Sequence, residues 1–73
     1  MRETKSAAFK RLAANRTNNI LRGIRLLGNL SNKNNYSYTE EEFRHIFKTI
    51  EDEIKLTKSK FHIALNKKGQ FKL

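Results

Sequence analysis

Apolar residues return at intervals of three and four along two stretches of the chain, with a polar, turn-forming stretch between them. In the first, Phe9, Ala13, Ile20, Ile24 and Leu27 share one side of a helical wheel, with Leu12 and Leu21 at its margins. In the second, Phe43, Ile46, Phe47, Ile50, Ile54, Thr57, Phe61, Ala64 and Leu65 fall within an arc of about 100° at helical pitch. The pattern predicts helix one over about 5–28, a loop over 29–38, helix two over about 40–68 and a short tail over 69–73. The fold class is therefore all-α, a single helical hairpin domain of two long amphipathic helices.

The start of helix two is written out in full. Thr39 is placed to cap the helix and Glu42 to reach back to the Thr39 amide, the two halves of a capping box. Tyr38 and Phe43 stand where an apolar pair staples the entry, and Glu40, Glu41 and Glu42 favour the positive end of the helix dipole. Lys67, Lys68 and Gly69 supply basic residues and a glycine stop at the far end. For helix one, residues 1–4 read as frayed and Gly28-Asn29 as the stop. Gly23 inside that helix costs about 1 kcal/mol relative to alanine. The stretch Leu30 to Tyr38, LSNKNNYSY, is rich in residues that bond their own backbone and so compete with helix.

Two amphipathic helices side by side do not enclose a core. With 73 residues and no cysteine there is neither a large core nor a disulfide or thiolate–metal staple to compensate. An antiparallel hairpin completed as a dimeric four-helix bundle, or by docking on a partner, follows from that shortage. His45, Leu56 and Ile63 lie opposite the main stripe of helix two and form a candidate partner-contact face.

Charge changes the picture from scaffold to ligand. The net charge is +9, dense enough to call for an anionic partner. Its distribution is uneven: residues 1–38 carry +7, residues 39–54 carry −4, and residues 55–73 carry +6. On helix one, Arg11, Asn15, Asn18, Arg22, Arg25 and Asn29 are spaced 4, 3, 4, 3, 4. At helical pitch they fall within about 80° of one another, opposite the apolar face, over about 27 Å of axis. The stripe holds no acid and no lysine. A merely solvated face is usually laced with Glu and Lys, whereas Asn is a mediocre helix former. Arg and Asn are the side chains with bidentate geometry for base edges, and both also bond phosphate and sugar oxygens.

Further candidates are less aligned. Lys67 and Lys68, with the other lysines beyond residue 54, suit sequence-independent phosphate attraction. Lys33 and Tyr36, in the Asn-rich loop, could bond and stack on unpaired bases. Catalysis finds no pattern: His45 and His62 project in different directions, and there is no glycine-rich phosphate loop, nucleophile motif or calcium loop. No cofactor, metal or small-molecule substrate is implied. There is no signal-like or membrane-spanning run, so the expectation is a cytoplasmic protein without a membrane partner.

The resulting expectation is a small non-enzymatic nucleic-acid-binding protein, RNA slightly favoured over DNA. The alternative is an accessory factor or inhibitor of phage or plasmid type, docking on an acidic protein or a nucleoprotein complex. The architecture looks like that of small plasmid-encoded helical hairpins that dimerise and bind RNA, a likeness of shape without a shared motif.

Overall fold

The computed structural model describes residues 2–66; Lys67, Lys68 and the expected Gly69 stop lie outside them. The described residues are helical, with no strand among them, in the order α1 (Lys5–Gly28), a 3-10 turn (Asn29–Ser31) and α2 (Glu40–Asn66). The chain divides into two units, Met1–Ser37 and Tyr38–Leu73, each built on one long helix.

In the first unit the helix starts on a cap that the periodicity did not reveal. Thr4 is extended (φ −72°, ψ 162°), and its hydroxyl accepts from the Ala7 amide at 3.0 Å. Thr4 is therefore tied to α1 rather than frayed, while Met1 lies outside the described residues. A threonine in this place satisfies one of the four orphan amides of a helix start. The far end also differs from expectation. Gly28 is right-handed (φ −59°, ψ −29°), so α1 does not end on a left-handed glycine. Instead the Asn29 amide bonds back to the carbonyls of Arg25, Leu26 and Leu27, and the coil tightens into the 3-10 turn. The expected loop thus keeps helical form for its first three residues. Beyond it, the Asn32 side chain accepts from the Asn34 amide at 2.9 Å, and its carbonyl accepts from Asn35 and Tyr36. This is the local competition that makes asparagine a turn former.

In the second unit the capping box is present in both directions. The Thr39 amide donates to the Glu42 carboxylate at 2.8 Å, and the Glu42 amide donates to the Thr39 hydroxyl at 3.0 Å. Tyr38 is half-buried at the staple position. Replacing Thr39 by Ala is expected to cost about 1 kcal/mol, measured by urea unfolding followed by circular dichroism. Ion pairs Arg44–Glu40 (2.6 Å) and Lys48–Asp52 (3.1 Å) run along exposed faces. Pairs of this kind contribute only a few tenths of a kcal/mol each.

Both apolar stripes run along their helices. No described side chain is fully buried: Phe9 is 57% exposed and Ile20 61% on α1, and Phe61 is 52% exposed on α2. Phe43 and Phe47 pack ring against ring at 5.1 Å within the α2 stripe. A β-carbon at Gly23 would meet nothing within 4 Å. Gly23→Ala is therefore expected to stabilise α1 by about 1 kcal/mol through helix propensity alone. A loss of stability on thermal unfolding would instead put a neighbour against that position.

Candidate nucleic-acid interface

The candidate face is the polar side of α1. Thr4 and Asn29 fix the two ends of the helix, so the positions between them keep one helical pitch. All six stripe residues are exposed. Asn15, Asn18 and Arg25 make no side-chain hydrogen bond to any described residue, and each keeps its full donor capacity for a ligand. Arg25 lies in the last turn, where a cation also favours the negative end of the dipole. Arg22 donates from Nη1 to the Asn19 side-chain oxygen at 3.0 Å. Asn19, on the flank of the stripe, is a residue the spacing argument passed over. It steadies Arg22 while leaving most of the guanidinium's donors available.

Arg11 is the exception. It is bound by Glu3, with Nε to one carboxylate oxygen and Nη2 to the other, both at 2.9 Å. The stripe contains no acid of its own, yet one reaches it from the residue before the cap. The Arg11 guanidinium holds the Glu3 carboxyl below the ordinary glutamate range, and the carboxylate raises Arg11 in turn. Because the folded-state value is depressed, any stability from this pair is present above the ordinary glutamate pKa. It is lost as pH falls through the depressed one. The pair is exposed to water, so its main consequence is occupancy of Arg11 rather than stability.

This contact makes a prediction. Glu3→Gln frees Arg11 and is expected to tighten polyanion binding. One added phosphate contact should steepen the dependence of log K on log salt by about 0.7 to 0.9, readable from fluorescence anisotropy at several salt concentrations. An unchanged slope would mean Arg11 does not meet phosphate.

Of the other candidates, Tyr36 is half exposed, with its amide held by the Asn32 carbonyl, so its ring is presented from an ordered turn. Lys33 lies in the same turn. Lys67 and Lys68 fall outside the described residues. The candidate partner face of α2 carries two large exposed aliphatic side chains. Leu56 is 61% exposed and Ile63 69%, while the His45 carbonyl accepts from the Thr49 hydroxyl at 2.8 Å. Among the described residues no group of three or more His, Asp or Glu is placed to hold a metal ion. No helix among them is long and apolar enough to cross a membrane. Compared with protein families, curated proteins and solved structures, the chain matches none.

Proposed function

We propose that the chain is a small basic non-enzymatic nucleic-acid-binding protein that meets its ligand along the Arg/Asn stripe of α1. The observation that carries the reading is a face of six Arg and Asn residues on which, among the described residues, Arg25, Asn15 and Asn18 make no side-chain hydrogen bond and Arg22 bonds only Asn19. Arg22 and Arg25 contact phosphates or guanine edges, and the asparagines contact sugar or base edges. RNA is slightly favoured over DNA because Tyr36, exposed in an asparagine-rich turn, suits stacking on an unpaired base. The absence of a fully buried hydrophobic side chain among the described residues supports closure of α1 and α2 as an antiparallel hairpin, completed as a dimeric four-helix bundle or on a docking partner.

The test is light scattering on nuclease-treated protein, repeated with added RNA and with duplex DNA at 50 and 200 mM salt. The expected result is a complex with RNA at low salt that weakens by orders of magnitude at high salt. No complex with either nucleic acid at low salt would overturn the reading.

A second reading has its own observation, the exposed His45/Leu56/Ile63 line beside the acidic start of α2. On that reading the chain is an accessory factor or inhibitor docking on an acidic protein or a nucleoprotein complex. One protein partner retained after nuclease treatment, and lost on Leu56→Asp with Ile63→Asp, would favour it.

A further inference from the structure

From Phe47 to Ala64 the α2 stripe repeats at alternating intervals of three and four (Phe47, Ile50, Ile54, Thr57, Phe61, Ala64), the spacing of a coiled-coil seam. Glu53 and Lys60 flank this seam on one side, and Glu51 and Lys58 on the other. All four charges are exposed, and none has an ion-pair partner among the described residues. Within the seam beside them, Ile54 is 48% exposed and Phe47 38%.

We infer that α2 pairs antiparallel with α2 of a second copy, with Ile54 of each chain opposite Thr57 of the other. In that register large meets small at the next layer out but one, Phe47 on Ala64, with Ile50 on Phe61 between them. Glu51 comes beside Lys58 of the second copy, and Glu53 beside Lys60. The two-fold axis repeats both pairs, so all eight flanking charges are matched. Flanking charges of this kind set partner orientation and register in coiled coils. Here they reject the neighbouring alignments. Sliding by one heptad toward the N-termini sets Glu51 against Glu51 and Glu53 against Glu53. Sliding by one heptad the other way sets Lys58 against Lys58 and Lys60 against Lys60. A parallel pair stacks the acidic start Glu40–Glu42 on itself and the lysines from Lys55 on themselves. Only the antiparallel register lays the −4 segment of one chain along the basic segment of the other. The inference rests on the dimer reading above and is independent of the nucleic-acid stripe on α1.

The test uses the full chain, treated with nuclease, in sedimentation equilibrium. The wild type is expected to be a dimer. Glu51→Lys with Glu53→Lys, and separately Lys58→Glu with Lys60→Glu, should each weaken self-association at least tenfold. The two variants mixed should form a heterodimer, and all four changes in one chain should restore the homodimer. The chain has no cysteine, which makes orientation readable by cross-linking. Phe47→Cys mixed with Ala64→Cys should form a disulfide on oxidation. Either variant alone should not, because its own positions lie about 25 Å apart along the axis. A wild type that is monomeric at all concentrations, charge variants that associate as tightly as the wild type, or a cross-link formed by either cysteine variant alone would overturn the proposal. Should Phe47→Cys lose its helix signal, the charge variants, which change only exposed residues, still decide it. A monomeric wild type that still binds RNA would end this inference and leave the α1 reading intact.

Discussion

Arg22→Glu together with Arg25→Glu is expected to abolish binding to RNA and to duplex DNA while the far-ultraviolet circular dichroism stays helical. Both side chains are exposed, and among the described residues the one side-chain hydrogen bond either makes is that of Arg22 to Asn19, so the fold loses nothing buried. The electrostatic loss is large by comparison. Each phosphate contact contributes about 0.9 to the salt exponent on duplex DNA and about 0.7 on a single strand, and the reversal also adds two repulsive charges. One local cost has to be separated. An acid at position 25, in the last turn, opposes the helix dipole by about 0.3–1 kcal/mol. Arg22→Gln with Arg25→Gln removes the contacts without that penalty and should lose most of the affinity as well. Lys5→Glu with Lys10→Glu changes net charge equally but lies off the stripe, and should retain the greater part of binding. Equal losses in the two reversed pairs would show that total charge, rather than the α1 face, governs association.

Phe47→Ala is expected to lower the stability of the protein by about 3–5 kcal/mol, the range for removing an aromatic ring from a packed site. In the structure Phe47 is 38% exposed, and its one ring partner among the described residues is Phe43 at 5.1 Å. Losing such a pair on an otherwise open face costs about 0.5–1.5 kcal/mol beyond area burial. The larger figure therefore requires that something cover the stripe in solution. Isolated helices draw most of their stability in proteins from packing of the apolar face rather than from propensity. Unfolding by urea at several protein concentrations measures both quantities. A midpoint that rises with concentration in the wild type, and falls with Phe47→Ala, places the cover on a second copy. A loss below about 1.5 kcal/mol would leave the stripe uncovered, at the figure for the exposed ring pair.

How far the chain could be read depended on whether the deciding contacts were near in sequence. The capping box at Thr39 and Glu42 spans three residues, and both of its hydrogen bonds are where the spacing puts them. The Lys48–Asp52 pair is likewise local, joining residues four apart on one helix face. Thr4 was missed because no Glu or Gln follows at the third helical position to complete a box, leaving a lone threonine among polar residues. The Glu3–Arg11 contact spans eight residues and joins a residue outside the helix to one two turns inside it, so no helical period announces it. Gly28 and Asn29 misled in the opposite way. Composition there says loop, but three backbone carbonyls were still available to the Asn29 amide and the coil continued. The stripe on α1 was legible in position but not in engagement. Periodicity assigns Arg11 and Arg25 to one face, and only the side-chain geometry distinguishes the occupied guanidinium from the open one.

The carboxylate clasped to Arg11 gives the protein a rival ligand of its own. On the proposed reading, a phosphate arriving at that end must displace an anion already seated, whereas Arg25, at the other end, has no side-chain hydrogen bond or ion pair among the described residues. Encounter should accordingly begin at the C-terminal end of the rod and advance toward the amino terminus. A weakly charged visitor would stop short of the last step, and only a dense row of phosphates would complete it.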